Sequence, residues 1–410
     1  IAFCHSRNMN EISDTKKWII IAGLSMGPAM ANGFARFAYA LLLPSMRADL
    51  GWTYTQSGWL NTANGIGYLL GALSALFLVG RLGPKRLFIS GFALTTLAMF
   101  GSAGTPDLLA QSLCRILAGI GGAPVFVMGG VLTAALFPGN PKLNAFAVAV
   151  YFGGGGLGML GTGLLLPTYL DRHFPVGWQM SWGFMALASC VMFGIIIWAA
   201  SQVTEIRDGS KLRLSGLRIG AMVPAITAYF LFGLGYVIYM TFLISWLKTN
   251  GSSTGLTSAV WSLMGISVMA SPFMWRRVLS QARAGRAIAW TNLTVGLGAL
   301  VPLFGGTFSI LVSALMFGGA MFMVPTSATN FAKTSVAQPI MGASVAMFTV
   351  FFSLGQILGP IGAGYVLDHT GDSVWILLLS GSILILGVLS ALLQPTITSP
   401  KTLPDRASTL

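Results

Sequence analysis

Residues 18–43 read WIIIAGLSMGPAMANGFARFAYALLL, 26 positions with a single charge, Arg36. As a helix rising 1.5 Å per residue the run measures about 39 Å, enough to cross about 30 Å of hydrocarbon. A membrane span is therefore the reading, and Arg36 is its anomaly, because no Asp or Glu lies inside the run to pair with it. A buried charge without a partner in its own chain points to a ligand. The rival reading is a secretory signal, with Lys16 and Lys17 ahead of the run and Ala29-Met30-Ala31 as its cleavage site. Apolar sequence continues to Leu43, and cleavage would leave an odd number of spans, so the uncleaved span is preferred.

The rest of the chain repeats this pattern. Charged residues make up 8% and hydrophobic residues 55% of the 410 positions, against about 25% charged in soluble chains. The mean hydropathy is +0.78. The fold class is all-α integral membrane. Twelve spans are expected, six at 18–43, 57–79, 87–104, 108–136, 145–169 and 181–200, and six at 219–243, 255–275, 287–303, 308–330, 341–366 and 374–393. The domains follow as an N-terminal six-helix bundle over 18–200, a polar linker over 201–218 and a C-terminal six-helix bundle over 219–393. Tails over 1–17 and 394–410 flank them. Met9 is a candidate natural start, and residues 1–8 are assigned no role.

With the N-terminus inside, eighteen of the 23 basic residues fall on one side, Arg47, Arg172 and Lys248 on the other, and two are buried. Both termini and the linker are expected to be cytoplasmic, in a bacterial inner membrane. A basic balance this asymmetric is a topology signal, so no nucleic-acid partner is expected. Cys4, Cys114 and Cys190 suggest no disulfide framework, and His5, His173 and His369 lie in the tail or outer loops, so neither metal site nor cofactor is expected. No phosphate loop is present, and an enzyme is not expected.

An internal repeat supports the two halves. At an offset of 200, Gly33-Phe34-Ala35-Arg36-Phe37-Ala38-Tyr39 lies over Gly233-Leu234-Gly235-Tyr236-Val237-Ile238-Tyr239, which sets Tyr236 opposite Arg36. At 197, Leu157-Gly158 and Leu170-Asp171 lie over Leu354-Gly355 and Leu367-Asp368.

Three loci resemble the major facilitator superfamily. Gly80-Arg81-Leu82-Gly83-Pro84-Lys85-Arg86 looks like its loop motif G-x-x-x-D-R-x-G-R-K, Arg115-Ile116-Leu117-Ala118-Gly119-Ile120-Gly121 looks like R-x-x-x-G-x-G, and the glycine-rich run 153–163 stands at its glycine-proline motif. The Gly-Phe-Ala-Arg-Phe-Ala-Tyr run ahead of Leu43-Pro44 is also similar to YbfB/YjiJ-type bacterial members. The resemblance implies two pseudo-symmetric six-helix bundles, alternating access by a rocker-switch, and a gating loop at Arg81, Gly83, Lys85 and Arg86. Gly80 stands where that motif has Asp and Pro84 where it has a basic residue, so a latch built on the carboxylate is weaker or made of other groups. The same cations read equally as inside-positive anchors.

Arg36 lies eight residues before Pro44 and Arg115 eight residues after Asp107, which puts both about 12 Å in from one face. In the resembled fold their helices line the cavity. Each costs about 2.5 to 3.5 kcal/mol to insert, and an anionic ligand bridging both would offset that. The plainer reading of Arg115 is a bundle brace bonded to backbone carbonyls or amide groups. Further candidates are Asn32, one turn from Arg36, Asn64 in a stripe with Asn61 and Tyr68, Tyr236 and Tyr239 on one face of span seven, Gln356, and Trp261 as a cavity wall, although such stripes are more often interhelical glue. No carboxylate stands at mid-span to carry a proton. The function expected is secondary transport of a small organic anion, a carboxylate or amino-acid-like metabolite, by a monomer in the lipid bilayer. The alternatives are an efflux carrier for amphipathic drugs or siderophore-like compounds, and a non-transporting membrane sensor.

Overall fold

A computed structural model describes residues 13–204, 219–281, 284–336 and 340–397. The expected linker and both tails fall largely outside these residues. Every regular element among the described residues is a helix.

The first span is longer than its apolar run. Helix α1 (Asp14–Pro28), a nine-residue π-helix (Ala29–Phe37) and α2 (Tyr39–Leu50) follow one another as a single 37-residue span. Ser13 starts it, its hydroxyl accepting from the Lys16 amide at 3.4 Å, and Gly51 ends it in the left-handed region at φ 64°. Pro44 lies inside α2 and does not terminate it. A proline removes one backbone bond, which a packed membrane helix tolerates. Depth counted from Pro44 therefore has the wrong origin.

Helix α3 (Tyr54–Ala103) runs 50 residues, about 75 Å if straight and more than twice the hydrocarbon. It is two spans. Gly83 breaks it at φ 78° and ψ 160°, a conformation that only glycine adopts without strain. Gly71, before the break, packs on Ile120 of α4 (Leu108–Ala134), while Gly91, after it, packs on the adjacent Gly121. In a straight helix those glycines would stand about 30 Å apart. The chain has folded back, and the eleven long apolar helices among the described residues make twelve crossings. The motif run 80–86 is helical apart from Gly83, so spans two and three lack the expected loop between 79 and 87.

Helices α5 (Pro141–Arg172) and α6 (Gly177–Ser201) complete the first half. The second half holds α7 (Ile219–Thr249), α8 (Thr254–Gln281), α9 (Arg286–Leu300), α10 (Gly306–Met321), α11 (Met323–Thr334), α12 (Met341–Thr370) and α13 (Trp375–Leu392). Helices α10 and α11 form one span with a break at Phe322.

The halves meet along two repeat-related seams. Helix α5 packs on α8, where Gly156 meets the Gly265 carbonyl, and α12 packs on α3, where Gly58 meets the Pro360 carbonyl. Backbones this close leave no room for a side chain. Each seam ends in a carboxylate at the same end of the bundle. Asp368 of α12 accepts from the Tyr54 and Thr55 amides, both at 2.8 Å, and from the Thr55 hydroxyl at 2.6 Å. Asp171 of α5 pairs with Lys248 of α7 at 3.2 Å. Asp107 caps α4 by accepting from the Ala110 amide at 2.8 Å. Asp368 and Asp107 thus satisfy N–H groups at helix starts, where anions are favoured, while Asp171, at a helix C-terminus, is held by a lysine.

Candidate substrate site between the two halves

Arg36 is the one basic residue of the π-helix and lies in its last turn, a geometry that adds one residue to the turn and turns side chains away from their α-helical direction. It is 9% exposed. Its Nη2 donates to the Tyr236 hydroxyl of α7 at 3.3 Å, and its Cζ stands 4.9 Å from the Tyr68 ring of α3. The residues paired by the offset of 200 therefore touch across the interface between the halves. Below Tyr236 the rings of Phe232, Tyr229 and Phe352 stack on one another, with Tyr236 to Phe232 at 4.8 Å and Tyr229 to Phe352 at 4.7 Å. Arg36, Phe37, Ala40, Asn61, Val237 and Met240 line a cavity of about 10 Å3, room for about one water.

Arg115 is 1% exposed. Its Nη1 donates to the Ala35 carbonyl, its Nε to the Leu60 carbonyl at 3.5 Å and its Nη2 to Asn61 Oδ1 at 3.4 Å. The Tyr39 and Trp182 rings cover the guanidinium at 4.9 and 5.7 Å. Contact with Ala35, next to Arg36, sets both arginines at one level. Neither pairs with a carboxylate among the described residues.

Asn61 links Arg115 to the second half. While its Oδ1 accepts from Arg115, its Nδ2 donates to Thr241 Oγ1 of α7 at 2.5 Å. Asn64 braces α4 by donating to the Arg115 carbonyl at 3.1 Å. Asn32 is buried beside Gly155. Gln356 is 1% exposed with neither amide atom hydrogen-bonded, and its backbone lies against Gly65 of α3. It is a spare donor and acceptor at the α3–α12 seam.

Two candidates stand elsewhere. Tyr239 does not share the Tyr236 surface: its hydroxyl meets Ser313 Oγ at 2.5 Å and its ring stacks on Phe317 of α10 at 4.1 Å. Three residues turn a helix by about 300°, and the remaining offset of about 60° suffices, where helices crowd, to choose another neighbour. Trp261 is no cavity wall. Its Nε1 donates to Thr162 Oγ1 at 3.3 Å, because its face of α8 packs on α5. Asn61, Tyr68 and Tyr39 also contact the two arginines. The first two lay in the recognised stripe with Asn64, and Tyr39 follows Arg36 by three residues. Of the motif cations, Arg81 and Arg86 are exposed and Lys85 is half-buried.

Comparison with known proteins agrees with this architecture. The chain is 27% identical over 380 residues to a "Chloramphenicol resistance protein" of Streptomyces lividans, covering 88% of this chain and 92% of that one. It is 23% identical over 388 residues to the inner membrane transport protein YdhP of Escherichia coli K12, covering 92% and 96%. With the probable galactarate/D-glucarate transporter GudP of Bacillus subtilis it shares 25% over 431 residues, covering 92% and 91%. The structure superposes on that of the nucleoside transporter NupG with a TM-score of 0.69 at 15% identity, covering 91% of this chain and 99% of the other. A bacterial homologue of the lysosomal transporter Spinster, in an inward-facing form, gives 0.64 at 12% identity, covering 93% and 95%. The family described as "Uncharacterised MFS-type transporter YbfB" matches residues 28–392, and the chain belongs to this family of major facilitator superfamily transporters.

Proposed function

We propose that the protein is a secondary active transporter of a small organic anion, working as a monomer in a bacterial inner membrane with both termini cytoplasmic. The observation that carries this reading is Arg36, a cation between the halves whose contacts are a phenol and a ring face. Neutral partners leave its charge uncompensated, and a carboxylate would supply the missing charge and accept two parallel hydrogen bonds. The cavity beside it, about 10 Å3, is too small for any carboxylate of several atoms. Binding thus requires the halves to part at the Arg36–Tyr236 contact, which is the motion of a rocker-switch. GudP, named as a probable galactarate/D-glucarate transporter, is in keeping with an anion.

A second reading is efflux of an amphipathic drug. The stacked row Tyr229, Phe232, Tyr236 and Phe352 suits a flat apolar cargo, and one relative is named for chloramphenicol resistance. Reconstituted vesicles separate the two. Under the anion reading Arg36→Ala cuts carboxylate flux by about a hundredfold, the worth of about 2.7 kcal/mol, with the fold intact. Undiminished flux in that variant sinks it.

A further inference from the structure

A second and larger cavity, about 440 Å3, opens at the end of the bundle that is poor in basic residues. Arg47, Trp52, Tyr54, Phe174, Ser245 and Lys248 are among its walls. We propose that this cavity is a recruitment site for an amphipathic aromatic monoanion, its carboxylate held by Arg47 and Ser245 and its ring placed among Trp52, Tyr54 and Phe174.

Charge is the first support. Among the described residues, Arg47, Arg172 and Lys248 are the basic residues that the sequence puts on this side, and two of them line one cavity. Lys248 is neutralised by Asp171 at 3.2 Å. The other acids nearby keep their charge but turn their oxygens elsewhere, Asp49 accepting from Trp178 Nε1 at 2.8 Å and Asp368 from the start of α3. Arg47 is left as a cation without a counter-ion, its Cζ 3.6 Å from the Tyr54 ring.

Unmet hydrogen bonding is the second. The Arg47 Nε is buried without an acceptor, and Ser245, 6% exposed, has a hydroxyl without a partner. Buried polar atoms are nearly always paired, and these two, on residues that line one cavity, are donors that a carboxylate can satisfy once the wall opens to it. The aromatic walls fix the rest of its chemistry, since a ring there gains apolar contact and stacking that a compact ion such as phosphate lacks.

Position is the third. Arg36, Ala40, Pro44 and Arg47 follow one another at spacings of four, four and three along one face of the first span, and α7 supplies the facing walls of both cavities. The two sites lie on one seam, about 16 Å apart along the helix. Parting α2 from α7 would join them, and this delivery to Arg36 rests on the anion reading above. Binding in the outer cavity does not.

The test is equilibrium binding of radiolabelled benzoate to the purified full chain, with unlabelled benzoate, benzamide and inorganic phosphate as competitors. Benzoate is expected to bind wild-type protein and Arg36→Ala alike. Arg47→Ala should weaken it about tenfold and Ser245→Ala about threefold, with Arg47→Lys retaining part and unchanged elution on gel filtration certifying each fold. Benzamide and phosphate should compete poorly. Equal binding by wild type and Arg47→Ala overturns the proposal, as does equal competition by benzamide. A loss on Arg36→Ala matching that on Arg47→Ala also overturns it, because the probe would then sit at the central site. Transport lost in Arg36→Ala alongside unchanged benzoate binding tells failure of one reading from failure of the other.

Discussion

Arg36 and Arg115 carry the same charge at the same level, yet their surroundings divide them. Arg115 lies wholly within the first half, donating to two backbone carbonyls and an amide oxygen under two aromatic rings. Among the described residues Arg36 meets a ring of its own half and a hydroxyl of the other, beside a cavity. The groups facing Arg115 cannot leave without unpacking α2, α3 and α4 from one another. Those facing Arg36 belong to a boundary between halves. Burial alone thus does not mark a ligand-binding cation; the mobility of its partners does.

The largest expected effect breaks this contrast at Arg115. Arg115→Ala removes a large buried side chain and leaves the Ala35 and Leu60 carbonyls without their donor, at a cost of about 3 kcal/mol in stability. Arg115→Met, which refills the volume without a charge, should cost less, as volume-matched replacements of buried charges often do. Thermal unfolding in detergent measures both. Arg36→Ala should unfold close to wild type while losing transport, and equal destabilisation by the two alanines would erase the distinction. A lysine exchange comes next. Arg36→Lys keeps a point charge for an anion and should lose about tenfold in flux, whereas Arg115→Lys cannot reach carbonyls on two helices and should resemble Arg115→Met in stability.

The sequence carried the contrast only in part. Spacing of apolar runs is enough to find the spans, because nothing but a helix satisfies its own backbone in lipid. The offset of 200 put Tyr236 opposite Arg36, and the two touch, since repeat-related residues near a pseudo-twofold axis face each other. What spacing cannot supply is the neighbour. It fixes the direction of a side chain only to about 60°, which separated Tyr236 from Tyr239. Trp261 went astray because its partner Thr162 lies 99 residues away on another helix. Asn61 showed the opposite failure: it looked like one more polar residue in a stripe, and only the fold reveals that it joins Arg115 to Thr241. Pro44 misled by its usual association with helix ends, while the residue that ends the helix is Gly51.

The smallest effect sharpens the comparison most. Tyr236→Phe deletes one hydroxyl, the sole hydrogen-bond partner that the second half offers Arg36 among the described residues, and leaves the ring row in place. If that bond holds the halves together around Arg36, its loss costs about 1 kcal/mol of the closed arrangement, or about fivefold in the equilibrium between closed and parted halves. A carboxylate that takes the place of the phenol then binds more tightly, because less must be broken to admit it. Apparent affinity for the transported anion should therefore rise about fivefold in Tyr236→Phe with stability nearly unchanged. A fall in affinity would mean that the phenol itself touches the anion, and Tyr236 would join Arg36 as a binding residue in place of its closing partner.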